Sequence, residues 1–111
     1  YHRPNVASQK LSEVSLYPPA DADQLYQVLT KVLPVLVTVD KQRHIYFIDN
    51  VKFHIDEVKD LGQFVEIEAI DEEGLRSIED LEIQCQYYQK ELGIHPGDLC
   101  SHSYSDMLLA R

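Results

Sequence analysis

Between residues 41 and 70 the chain carries three β-prone runs separated by no more than four residues, and no other feature narrows its fold as much. The runs 42–48, 51–58 and 63–70 are rich in Val, Ile, Phe and Tyr and alternate polar with apolar positions. Asp49-Asn50 suits a two-residue hairpin loop, because both residue types tolerate left-handed backbone. Asp60-Leu61-Gly62 suits a three-residue loop with glycine in that conformation. Strands joined this tightly run antiparallel, since a parallel pair needs a long crossover.

The flanks read as helices and further short strands. Asp21 is placed to cap a helix, with Gln24 three residues on and Leu25, Val28, Leu29 and Val32 on one face; Pro34 stops it near Leu33. Residues 75–92 carry an apolar stripe of Leu75, Ile78, Leu81, Cys85, Tyr88 and Leu92, ended by Gly93. Ser103 with Asp106 has the spacing of a capping box and starts a short last helix. Residues 7–17 and 35–39 read as additional strands. The expected fold class is α+β, an antiparallel β meander with flanking helices. At 111 residues, 44% of them hydrophobic, the chain is expected to form one domain over residues 1–111.

Charge and cysteine usage exclude several functions. A net charge of −9 argues against nucleic-acid partners, which need a basic face to displace counterions. The longest apolar run, 32–39, is interrupted by Pro34 and is too short to span a bilayer, so no membrane partner is expected. Cys85 and Cys100 form no disulfide framework and no C-x-x-C motif, which points to a reducing, cytoplasmic setting. Cys85 lies on the apolar stripe and reads as a packing residue.

The loops set a register. Pairing Ile48 with Val51 puts Arg43 opposite Asp56 and Ile45 opposite His54. Pairing Lys59 with Gln63 puts Asp56 opposite Glu66 and His54 opposite Glu68. Arg43, Asp56 and Glu66 are then expected in one row, with neighbours roughly 5 Å apart. The same face takes Lys41, Lys52, His54 and Glu68, while His44, Tyr46, Ile48, Val51, Phe53, Ile55, Val65, Ile67 and Ala69 face the other way and are expected to build the core. A polar face is ordinarily the solvated side of such a sheet. Here nearly every polar slot is a full charge, and two carboxylates in one row need a cation or Arg43 to offset their repulsion. Carboxylates suit a hard divalent cation that shares its remaining coordination with phosphates, and nearby basic side chains hold the phosphates themselves.

The run KQRHIYFIDNVKFHIDEVKDLGQFVEIEA, residues 41–69, resembles the second half of a CYTH domain, the superfamily of class IV adenylyl cyclases and thiamine triphosphatases. The resemblance lies in a K-x-R strand, D-x-V, L-G-x-F and an E-x-E strand in order. Upstream YHRPN and SQKLSEVSLY, and downstream LGI, DL and SYSDMLL, are similar to the cyclase-like branch. The resemblance implies a closed antiparallel tunnel with an ionisable inner wall and Mg2+ or Mn2+ as cofactor. It implies a small-molecule triphosphate, ATP or thiamine triphosphate, as partner. Arg3, Lys10, Lys41 and Arg43 are the implied triphosphate ligands; Glu66, Glu68 and Asp56 the implied metal ligands; Lys41, Arg43 and Asp56 the implied catalytic set. The E-x-E-x-K strand and the second basic strand that open such domains do not occur here, so the chain is expected to represent the C-terminal portion of one. Exposed strand edges make homo-oligomerisation an accompanying expectation. Cyclisation of ATP to cyclic AMP and pyrophosphate is the leading implied activity. Hydrolysis of thiamine triphosphate or tripolyphosphate, and non-catalytic polyanion binding, are the alternatives.

Overall fold

The computed structural model describes residues 5–111. In chain order it contains α1 (Ala22–Val32), β1 (Lys41–Ile48), β2 (Val51–Val58), β3 (Gly62–Ala69), α2 (Ile78–Glu91), a 3-10 turn (Pro96–Asp98) and α3 (Tyr104–Leu109). The strands form one antiparallel sheet in the order β1-β2-β3. Among the described residues this sheet does not close into a tunnel.

The first hairpin has the register that its loop dictates. Asp49 takes positive φ (53°), and the strands pair Ile48 with Val51 and Arg43 with Asp56. The second turn differs from the sequence-based expectation. Asp60 adopts left-handed backbone (φ 70°) and the Leu61 N–H donates to the Val58 carbonyl at 3.1 Å, so the loop is Lys59-Asp60-Leu61 and the closing pair is Val58 with Gly62. Gly62, at φ 107°, absorbs the distorted entry to β3. The frame therefore lies two residues from the expected one: His54 faces Glu66, Lys52 faces Glu68, and Asp56 faces Phe64. A two-residue shift keeps every side chain on its face, so the division into ionisable and apolar sides survives while the cross-strand partners change.

The expected strands at 7–17 and 35–39 do not form; only a single bridge at Glu13 marks the first. The reason for the second is visible in the hairpin. The Lys59 N–H reaches the Asp40 carbonyl at 2.8 Å, and beyond Lys59 the neighbouring strand has already turned away, so β2 does not continue the ladder to residues 35–39. The helices follow their caps. Asp21 accepts from the Gln24 N–H at 3.0 Å, as expected. α2 starts at Ile78 instead of Leu75 because Ser77 and Asp80 form a capping box, while Asp71 holds the Leu75 and Arg76 N–H groups in the preceding loop. α3 begins where the Ser103 and Asp106 spacing places it.

Burial departs from the simple two-sided picture. Among the described residues the buried ones all lie on β2: Val51, Phe53, His54, Asp56 and Val58. α2 lies against β3 and reaches Phe53 of β2, where the Tyr88 ring packs edge-on at 5.0 Å. Tyr46, Ile48, Ile55 and Val65 on the same face stay exposed, as does the apolar stripe of α1. The apolar face thus builds a core at one end only. The radius of gyration, 16.1 Å, exceeds the roughly 13 Å of a compact domain of this length and agrees with an open structure. No helix of the described residues is long and apolar enough to cross a membrane.

α2 is anchored by a reciprocal amide pair: Asn50 Nδ2 donates to Gln84 Oε1 at 2.8 Å and Gln84 Nε2 donates to Asn50 Oδ1 at 2.9 Å, while Asn50 Nδ2 also reaches the Ile70 carbonyl. Replacing Asn50 with Ala leaves the Gln84 amide and the Ile70 carbonyl without this partner. The expected loss is about 1–3 kcal/mol of stability. Urea unfolding of Asn50→Ala, Gln84→Ala and the double variant checks it, with the double costing clearly less than the sum.

Candidate functional site

The ionisable face is organised around Asp56, which is 1% exposed, two residues from the end of the central strand. A carboxylate so placed is costly unless its oxygens are satisfied, and all of them are. Arg43 Nε donates to Oδ1 and Arg43 Nη2 to Oδ2, each at 2.7 Å, in the fork geometry that makes such pairs strong. The Tyr104 hydroxyl adds a third bond to Oδ2, also at 2.7 Å. The Arg43 hydrogen bonds, supported by Tyr104, hold the Asp56 carboxyl down to about 2. The same pair raises Arg43, and burial followed by the bond to Asp56 pushes the Tyr104 phenol well above its usual range.

Tyr104 is delivered by α3. The Ser103 and Asp106 capping box fixes the start of that helix, and Tyr104 is its first residue. Its ring lies 5.0 Å from that of Phe64, the residue opposite Asp56, and Lys41 Nζ sits 5.2 Å from the ring centroid. Such a cation above an aromatic face is weakly attracted to it. Lys41 and Arg43 thereby leave β1 side by side on the ionisable face. Two of the guanidinium N–H groups go to Asp56, so others remain to donate to an anion.

Beside this clamp lies a second group. Glu66 and Glu68, two residues apart on β3, point to the same face as His54 from β2. One ligand atom from each of His54, Glu66 and Glu68 lies within 4.8 Å of the others. His54 is 5% exposed. Its Nδ1 is 3.7 Å from Glu66 Oε2 and its Nε2 is 4.0 Å from Glu68 Oε2, and the buried Nδ1 has no hydrogen-bond partner. Two carboxylates with an orphaned imidazole nitrogen form a donor set that fits a divalent ion. Arg43 Nη2, 3.8 Å from Glu66 Oε2, joins the two groups.

The chain matches the model of the CYTH domain over residues 1–104. It belongs to the CYTH family. CYTH domains are, in general, metal-dependent and act on triphosphates. No curated protein and no solved structure matches the chain.

The sequence-based site residues fall into place unevenly. Lys41, Arg43, Asp56, Glu66 and Glu68 share one face of this CYTH sheet. Asp56 stands apart from the His54, Glu66 and Glu68 cluster, its oxygens taken by Arg43 and Tyr104. That geometry suits it to orient a basic neighbour more than to ligate an ion. Lys10 has a buried ammonium, and Arg3 lies outside the described residues. Sequence reasoning left out Tyr104, whose only signal was its position just after a capping serine. It also placed His54 opposite Glu68, where the structure pairs it with Glu66.

Acid unfolding tests the clamp. Because the folded Asp56 carboxyl lies below its ordinary 3.8, its contribution is complete above about pH 4 and is lost as pH falls through about 2. The contribution is on the order of 2 kcal/mol. The stability gap between wild type and Asp56→Asn, read from urea unfolding at pH 5 and pH 2.5, is expected to narrow at the lower pH. Arg43→Ala leaves a buried carboxylate without its ion pair and is expected to cost about 3–5 kcal/mol near neutral pH.

Proposed function

We propose that this CYTH chain contributes to metal-dependent phosphoryl chemistry on a triphosphate, with conversion of ATP to cyclic AMP and pyrophosphate as the leading reaction. The observation that carries this reading is the arrangement of basic and acidic groups on one face. Lys41 and the Asp56-held Arg43 stand next to Glu66 and Glu68, with the Arg43 guanidinium touching both groups. Polyphosphate binding needs positive donors, and a divalent ion needs carboxylates within reach of the same phosphates.

In this reading Lys41 and Arg43 bind non-bridging phosphate oxygens, with Lys10 and Arg3 as further triphosphate ligands. Asp56 and Tyr104 keep the Arg43 plane fixed, so that its remaining N–H groups are aimed before substrate arrives. Glu66 and Glu68 hold Mg2+ or Mn2+, which supplies neutralisation of charge on the phosphoryl oxygens. Catalysis is mostly positioning, because phosphoryl transfer spreads negative charge over oxygens that fixed donors can stabilise. In the cyclase reaction the ribose 3′-hydroxyl attacks the α-phosphate and pyrophosphate leaves. Similarity of the 92–109 segment to the cyclase-like branch favours that reaction. A triphosphate hydrolase, in which water attacks the terminal phosphate, is the second reading. The exposed apolar face and the open sheet support residues 1–111 being one wall of a larger tunnel.

The test is an assay with ATP and Mn2+ in which the products are separated. Cyclic AMP with pyrophosphate is the expected outcome. Orthophosphate alone transfers the assignment to the hydrolase, and tripolyphosphate binding that survives a chelator without turnover transfers it to a non-catalytic anion-binding module. Lys41→Ala is expected to weaken tripolyphosphate binding by about tenfold or more, as loss of a charged hydrogen bond implies, measured by calorimetry.

A further inference from the structure

His54 is a buried residue of the ionisable face that the proposed reaction leaves unused. It sits at the centre of the sheet, 5% exposed, with a ring nitrogen that has no hydrogen-bond partner although a carboxylate lies in front of it. A histidine that had simply paired with Glu66 would close to about 2.8 Å, the length of a charge-assisted hydrogen bond. The observed gaps of 3.7 Å to Glu66 and 4.0 Å to Glu68 are too long for that. The 3.7 Å gap from Nδ1 to Glu66 can be spanned by an ion about 2.1 Å from each donor. The 4.0 Å gap to Glu68 belongs to the other ring nitrogen, Nε2, but one ligand atom from each of the three side chains lies within 4.8 Å of the others, so Glu68 is within reach of the same ion. The strands are fixed here by the ladder, since His54 and Glu66 are direct cross-strand partners, so the nitrogen cannot easily retreat.

We infer that His54 Nδ1 is a third ligand beside Glu66 and Glu68, and that the resulting nitrogen–oxygen donor set selects Mn2+ over Mg2+. The inference rests on the metal-dependent reading above and sharpens it. Mg2+ dehydrates reluctantly and is held mainly by oxygen. Imidazole favours first-row transition metals, whereas carboxylates and phosphate oxygens remain good partners for Mn2+. A mixed set of one imidazole and two carboxylates therefore moves the preference toward Mn2+ while keeping the affinity for oxygen that a triphosphate complex needs. His54 also distinguishes this cluster from an exposed acidic patch, because Glu66 and Glu68 are both half-exposed and alone give no reason for a fixed site.

Electron paramagnetic resonance of Mn2+ bound to the whole chain, with tripolyphosphate present, reads the ligand directly. Nitrogen hyperfine coupling is expected, changing to the 15N pattern when histidine is supplied as the 15N amino acid and vanishing in His54→Gln. Titration is expected to show Mn2+ bound about tenfold or more tighter than Mg2+, with the ratio collapsing toward unity in His54→Gln. If His54→Gln does not fold, nitrogen coupling that persists when His2, His44, His95 and His102 are all replaced by Gln supports the inference, and its loss there overturns it. Mn2+ bound without nitrogen coupling, as when a water bridges His54 to Glu66, overturns the inference. If that binding is also lost in the Glu66→Gln, Glu68→Gln variant, the carboxylate site of the proposed function stands. No Mn2+ bound with or without tripolyphosphate overturns both.

Discussion

A single buried carboxylate sets the terms for the rest of the molecule. Asp56 is enclosed on the central strand and is tolerable there only because a guanidinium from β1 and a phenol from α3 saturate its oxygens. Each partner comes from a different element. The demand of one charge for hydrogen bonds thereby fixes the position of the first strand's basic side chains and the docking of the last helix. A hydrophobic residue at position 56 would have been easier to bury; what the carboxylate adds is orientation. Arg43 cannot rotate without abandoning both of its bonds, so its free edge points one way.

The two faces of the sheet use burial in opposite senses. The ionisable face hides His54 and Asp56, while the apolar face buries Val51 and Phe53 but leaves Tyr46, Ile48, Ile55 and Val65 open. An isolated sheet of this composition would be expected to do the reverse. The difference follows from what lies over each side: an aromatic pair, Phe64 and Tyr104, over one end of the charged face, and α2 over β3 and Phe53 on the other, leaving β1 uncovered. Burial of His54 and Asp56 strengthens their electrostatic interactions, since such interactions weaken in open water, whereas Glu66 and Glu68 stay half-exposed.

How much of this could be read from the sequence depends on the range of the interaction involved. The Arg43 and Asp56 pairing was readable because a two-residue loop admits a single closing pair. Caps at Asp21 and Ser103 were readable for the same reason, each being settled within three residues. The second hairpin was not, because Asp60 and Gly62 can both take left-handed backbone, and frames two residues apart put the same side chains inside. Hydrophobic patterning has nothing to say between them. The strands expected at 7–17 and 35–39 had the composition, but among the described residues the only sheet is the three-stranded one, and which strand-prone segments join a sheet is decided by the fold. Tyr104 lies 48 residues from Asp56, a separation at which spacing carries no information.

The hydroxyl of Tyr104 makes the carboxy-terminal helix a participant in the charge balance of the sheet. Any anion that draws Arg43 outward weakens the grip on Asp56 and makes that carboxylate depend more on the phenol. Any ligand that lets Arg43 settle more deeply does the opposite. The occupancy of the charged face and the attachment of the last helix are then two readings of one free energy, and by reciprocity whatever grasps or displaces α3 must also be felt at the charged side of the sheet.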